Sequence, residues 1–146
     1  MGGDLKTILF QYPEKLLSAI LWLVALHSIA MGLALIAQPT LLMKLSGFSS
    51  ECERFFPAQG GVFHILMAVA YVMGATDIEK YHYLIVFSII VKALATLFLI
   101  IYCFAVEFKW IVLLSGIGDG VMGLIIFLAL ENYLHLKTTY GNRYLK

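Results

Sequence analysis

Four long stretches of this chain are almost wholly apolar, and short polar clusters separate them. They run roughly from Leu16 to Ala37, Gln59 to Ala75, Tyr83 to Val106 and Trp110 to Leu130. A hydrocarbon layer about 30 Å thick needs about 20 helical residues at 1.5 Å each, so each stretch is near spanning length. The second is the shortest, and a start one turn earlier, near Phe55, would suit it. Backbone polar groups in lipid must find partners within their own segment, which predicts helices. None of the stretches alternates apolar with polar residues at period two, as a membrane strand would.

The punctuation agrees with this reading. Pro13 suits the first turn of a helix, and Gln38-Pro39 stops the first span because proline disfavours helix in the residue before it. Gly74, Thr76 and Asp77 close the second span. Trp22, Trp110, Tyr12, Tyr81, Tyr83 and Tyr133 mostly fall near span ends, as an aromatic belt does. Between the first two spans, Thr40 to Phe56 sets Leu41, Leu42, Leu45 and Phe48 on one side of a helical wheel with Lys44 elsewhere, which predicts an interfacial helix. Asp4 to Tyr12 reads as a second short helix lying on the membrane. The later connections are short, about seven and about three residues, and short connections force antiparallel neighbours. The expected fold is therefore all-α: one membrane domain over residues 1–146, an antiparallel four-helix bundle with a short interfacial helix between its first two spans.

Composition narrows the class further. The chain has 146 residues, 62% hydrophobic and only 13% charged, against roughly a quarter charged in soluble domains. One core of this size cannot hide so much apolar surface from water, and disordered chains are polar and poor in aromatics. A multi-pass integral membrane protein remains. The net charge is +1 and no basic block suggests nucleic acid. Cys52 and Cys103 are too few for a disulfide framework or a thiolate metal site, and a single bridge between them is left open. The first apolar run is longer than the roughly 7–15 residues of a signal-peptide core, so it is expected to be a retained anchor. Lys6 stands where a myristoylation signal wants Ser or Thr. Dinucleotide, P-loop, zinc-protease and nucleophile-elbow motifs do not occur. Lys6, Lys15, Lys80, Lys137, Arg143 and Lys146 fall on the side of both termini, against Lys44, Arg54 and Lys109 on the other. That bias places both termini in the cytoplasm, or in the matrix or stroma of an organelle.

Each span carries one ionisable residue inside its apolar run: His27, His64, Lys92 and Asp119. A charge near the bilayer centre costs about 2.5–3.5 kcal/mol on insertion scales, so such residues tend to face the bundle interior, pair and mark function. Counted from the side opposite the termini, His27 lies about 15 Å deep, Asp119 about 14 Å, His64 about 8–14 Å and Lys92 about 21 Å. Small and polar neighbours share their faces, which marks packed helix sides. These include Gly60, Met67 and Tyr71 around His64, and Ser88, Ala95 and Thr96 around Lys92. Ser115, Gly116, Gly120 and Gly123 surround Asp119, while Met31, Ser28 and Gly32 neighbour His27. The expected site is a polar intramembrane pocket with Lys92 and Asp119 paired at its floor and His27 and His64 as groups that titrate near neutrality. Tyr71 lies deeper and Gln59 near the mouth. Equally, the pair could serve only to fix helix register. Weaker alternatives are one b-type haem between His27 and His64, or zinc on both histidines and Asp119. Met31, Met67, Met73 and Met122 read as packing rather than copper ligands. Gly116 and Gly120 fit either a dimer face or internal packing.

The layout resembles the small four-helix DoxX-like membrane proteins. The carrying features are Gly32-Leu33-Ala34-Leu35-Ile36-Ala37-Gln38-Pro39 closing the first span, a short amphipathic connector, and Gly60-Gly61 opening a Gly/Ala-rich second span that runs to Gly74-Ala75. The resemblance covers roughly residues 16–131, with Pro57-Ala58-Gln59 where the family would have an arginine. It implies association with membrane redox chemistry as an accessory quinol-oxidase-type subunit, and it transfers no catalytic residue. The leading expectation is a non-catalytic subunit or binding protein of a respiratory or photosynthetic assembly, with membrane lipid, other subunits or its own copies as partners. The rival is a membrane enzyme or carrier acting on a lipid, quinone or similar apolar molecule, with His27 or His64 as acid or base. In that reading Asp119 orients or counters charge and Lys92 binds a ligand oxygen. A proton-coupled transporter would need dimerisation, since four helices are few for alternating access. The sequence names no cofactor.

Overall fold

The computed structural model describes residues 13–45, 47 and 55–141. It is all-helical among them. Helix α1 covers Pro13–Ala37, α2 Thr40–Leu45, α3 Phe55–Thr76, α4 His82–Ala105 and α5 Trp110–Gly141. The four long helices are each long and apolar enough to cross a membrane, which marks the chain as a multi-pass membrane protein. The expected spans lie within them except at Val106, which caps α4 one residue after its last turn. Helix α3 starts at Phe55, the earlier of the two starts considered, and α5 continues about three turns beyond Leu130. That extension is polar enough to leave the lipid: Glu131, His135, Lys137, Thr138 and Thr139 are exposed on it. A drop in hydropathy ends a span without ending a helix. Helix α2 covers the first part of the expected interfacial helix. The rest of that connector lies outside the described residues, as do Asp4 to Tyr12 and Cys52.

Helix α1 ends where the proline requires it to. The Gln38 N–H donates to the Ala34 carbonyl at 2.9 Å, and Gln38 takes a left-handed φ of 45° before Pro39. A left-handed residue after the last helical turn satisfies a terminal carbonyl and turns the chain away. After α2, Gly47 does the same job with φ of 79°, where glycine carries no Cβ penalty. Its carbonyl accepts from the Lys109 ammonium at 3.1 Å, which ties this segment to the turn between α4 and α5.

The long helices form a bundle in which each packs on two neighbours, in the order α1, α3, α4, α5 and back to α1. Its core is a narrow axis of Leu17, Leu21, Val24, Tyr71, Ile85, Ile126 and Leu130. The outer surface is as apolar as the core, with Leu23, Leu26, Phe63, Phe98 and Leu124 all more than half exposed. An aqueous surface does not carry such a continuous apolar belt, whereas lipid solvates it. With little hydrophobic drive between helices in lipid, close packing depends on small residues. Gly32 and Gly61 let α1 and α3 touch backbone to backbone: a Cβ on Gly61 would lie 2.6 Å from the Gly32 carbonyl oxygen. Near the other end of α1, the Ser18 hydroxyl donates to the Ala75 carbonyl of α3 at 2.7 Å. On α5, Cβ atoms at Gly116, Gly120 and Gly123 would meet Leu99, Thr96 and Lys92 of α4. The Gly116/Gly120 pair is therefore occupied by internal packing.

The α5 extension is tied down outside the apolar layer. Glu79 in the α3–α4 turn accepts from the Lys137 ammonium at 2.6 Å and the Tyr133 hydroxyl at 3.2 Å. The Lys137 hydrogen bond and charge, helped by Tyr133, hold the Glu79 carboxyl below the usual carboxylate range. A depressed folded-state pKa stabilises the fold above the unfolded value of about 4.3, and that contribution is lost as pH falls through the folded value. We expect the Glu79 carboxyl resonance to titrate with a midpoint below about 4.3, and Lys137→Met to return it to the ordinary range. An unshifted wild-type midpoint would show that the contact does not persist in solution.

Candidate functional site

Ser28, His64, Tyr71, Lys92 and Asp119 gather around one cavity of about 410 Å³. Helix α3 contributes Gly60, His64, Met67 and Tyr71, at successive steps of four, three and four along one stripe, with Phe63 beside them. Helix α4 adds Lys92, Ala95, Phe98 and Leu99, α5 adds Asp119, and α1 adds Ser28 and Leu35. Small ligands are held in cavities of about 300–1,000 Å³ with apolar walls and a few convergent polar groups, and this one fits that description.

Its floor is the Lys92–Asp119 ion pair, joining α4 to α5. Lys92 is only 3% exposed, and its stem lies against Gly123, where a Cβ would be 3.0 Å from the Lys92 Cβ. That glycine lets a long side chain leave one helix and run along the next. The ammonium also lies 5.9 Å from the centre of the Tyr71 ring, within cation–π range. Removing the pair's counter-charge would leave a charge stranded in a medium that solvates it poorly. The nearby hydroxyls Ser88 and Thr96 are turned back onto their own helix, donating to the Leu84 and Lys92 carbonyls at 2.7 and 2.8 Å. Such back-bonding satisfies them locally.

Four of the six residues singled out from sequence thus come together: His64, Lys92, Asp119 and Tyr71. The other two do not line the cavity. Gln59 is exposed one residue before Gly60. His27 is exposed as well, and its neighbour Ser28 occupies the inward position. The reason is angular. The buried stripe of α1 is Leu17, Leu21, Val24, Ala25, Ser28 and Gly32, and Gly32 stands four residues after Ser28, so it shares the face of Ser28 rather than of His27. Depth alone could not separate two adjacent residues that point about 100° apart. The stripe of small residues was the usable signal, and it singles out Ser28.

Ser28 is 1% exposed, and its Oγ has no hydrogen-bond partner among the described residues. It is the functional candidate that ionisable-residue reasoning passes over. His27, His64 and Asp119 do not form a metal-holding cluster, and among the described residues no group of three or more His, Cys, Asp or Glu does. Cys103 is buried elsewhere, its thiol 3.7 Å from the Lys109 carbonyl. The chain matches no family model, and neither the curated proteins nor the solved structures yield a match to it.

Proposed function

We propose that this protein is a small integral membrane binding protein whose intramembrane pocket holds a molecule dissolved in the lipid. The observation that carries this reading is the cavity of about 410 Å³ built over a buried ion pair. A pair needed only for register would be packed over by apolar side chains. Here His64, Tyr71 and Ser28 face the same space instead. The topology that serves the pocket is an antiparallel up-down-up-down arrangement with α2 at the interface. The Ser18–Ala75 contact and the Gly32–Gly61 contact, at opposite ends of α1 and α3, support it. The lysine and arginine bias supports both termini on the cytoplasmic, matrix or stromal side.

A second reading keeps the same pocket in an accessory subunit of a larger respiratory or photosynthetic complex. It rests on the DoxX-like layout of the first two spans. Native mass spectrometry of the protein gently extracted from its own membrane separates the two. The binding reading expects the chain alone, or as a small homo-oligomer, carrying a small-molecule adduct whose mass names the ligand class. A chain that leaves only within a large assembly, with no adduct, overturns it in favour of the subunit reading.

A further inference from the structure

The cavity has a wall that reaches the lipid. Helices α1 and α3 are locked together by Gly32 and Gly61, and α4 and α5 by Gly116, Gly120 and Gly123. Helices α3 and α4 meet at Gly74 and Ile85, close to the turn that joins them, where a Cβ on Gly74 would lie 3.0 Å from the Ile85 Cγ1. About 16–20 Å further along the two helices stand Phe63 on α3 and Phe98 on α4. Both line the cavity and both are exposed on the outer surface, 60% and 63% respectively. The cavity therefore opens sideways between α3 and α4, with one phenylalanine on each jamb.

The polar groups inside are balanced in charge and unbalanced in hydrogen bonding. The Lys92 ammonium and Asp119 carboxylate cancel. A charged headgroup would have to displace one of them from its partner, at the cost of a stranded charge in lipid. The Ser28 hydroxyl, by contrast, is buried in the cavity wall without a partner among the described residues. A buried hydroxyl left unsatisfied costs free energy, and a ligand oxygen beside it removes that cost. Tyr71 and His64 add further groups that can hydrogen-bond a neutral oxygen.

The geometry points to a neutral, chain-bearing amphiphile with hydrogen-bond-accepting oxygens as the ligand, admitted from the lipid between Phe63 and Phe98 and held by the Ser28 hydroxyl. This inference rests on the pocket reading above and gives its ligand a charge, a route and a contact.

The test uses the full chain in phosphatidylcholine vesicles with three photoreactive diazirine probes of one chain length. One is a monoacylglycerol, one a fatty acid and one a long-chain amine. Labelling is mapped by peptide mass spectrometry, with the outward-facing Leu23 and Leu26 of α1 as the reference. The expected result is labelling of the peptides around Phe63–His64 and Phe98–Leu99 by the monoacylglycerol, about tenfold above either charged probe. Ser28→Ala should lower that labelling about fivefold, the worth of one hydrogen bond, and leave the reference labelling unchanged. Phe63→Trp/Phe98→Trp should slow it by narrowing the portal. Equal or stronger cavity labelling by a charged probe overturns the neutral ligand and leaves the pocket reading standing. Undiminished labelling in Ser28→Ala overturns the serine contact, and an unchanged rate in the tryptophan variant overturns the portal. Reference labelling with no cavity labelling by any probe overturns the pocket reading together with this one.

Discussion

Lys92→Met alone is expected to destabilise the protein by about 3–5 kcal/mol, and adding Asp119→Leu should recover most of that loss. Lys92 is 3% exposed and its ammonium pairs with Asp119 across the α4–α5 interface. The single change leaves a carboxylate without its counter-charge where neither water nor lipid replaces it. The double change removes both charges and leaves apolar side chains of suitable size beside a cavity with room for them. Reversible unfolding in mixed micelles of the two single variants and the double gives the coupling energy directly. Losses that simply add would show that the two charges do not depend on each other. The same double variant separates fastening from function. If the pair only fixes helix register, the refastened variant keeps its adduct in native mass spectrometry. If the pair is the floor of a binding site, the fold returns and the adduct does not.

A smaller effect has the opposite sign, and for that reason it is informative. Ser28→Ala removes a buried hydroxyl that has no partner among the described residues. Without ligand the variant should be more stable than the wild type by about 1–2 kcal/mol, since an unsatisfied buried polar group costs about that much. A residue that weakens the empty fold and strengthens the occupied one is the signature of a site. If Ser28→Ala unfolds more easily than the wild type in delipidated micelles, the hydroxyl has a structural partner and the binding argument loses its best support.

How much of this was legible in the sequence follows from what lipid demands of a chain. The four spans were readable because nothing but a long apolar helix satisfies its backbone across a bilayer. Lys92 and Asp119 were readable as partners because an unpaired charge there is so costly. Position around a helix was legible only where residues other than Leu, Ile, Val and Phe repeat at steps of three and four. On α3, Gly60, His64, Met67 and Tyr71 form such a series, and all four line the cavity. On α1 the eye goes to His27, yet the series of small residues runs through Ala25, Ser28 and Gly32. Helix outsides in lipid are apolar too, so the contrast that orients a soluble amphipathic helix is missing. The sideways opening was not legible at all. It depends on where α3 and α4 stop touching, and that is set by the glycine contacts of the other two helix pairs.

Those contacts make the second large prediction. Gly61→Val should cost more than about 3 kcal/mol, beyond the usual 1–3 kcal/mol of core overpacking. A Cβ at this position would lie 2.6 Å from the Gly32 carbonyl oxygen, 2.7 Å from the Ile36 Cγ1 and 3.2 Å from the Ile36 amide nitrogen. Two of these three are backbone atoms, so no rotamer change makes room and α1 must move away from α3 as a body. Gly61→Ala should already be destabilising, although alanine brings about 1 kcal/mol of helix propensity over glycine. Gly118 supplies the internal control: a Cβ there meets nothing within 4 Å, so Gly118→Ala should be neutral or stabilising by up to about 1 kcal/mol. The sign difference between two identical substitutions, read in one unfolding series, isolates packing from propensity. The consequence reaches the cavity, because Gly32 and Ser28 share the face of α1 that Gly61 holds against α3. Moving that face outward carries the Ser28 hydroxyl away from His64 and Tyr71. Gly61→Ala should therefore lose both stability and the bound adduct, whereas Lys92→Met/Asp119→Leu loses the adduct alone. Equal stabilities for Gly61→Ala and Gly118→Ala would mean that α1 and α3 stand further apart than this packing requires.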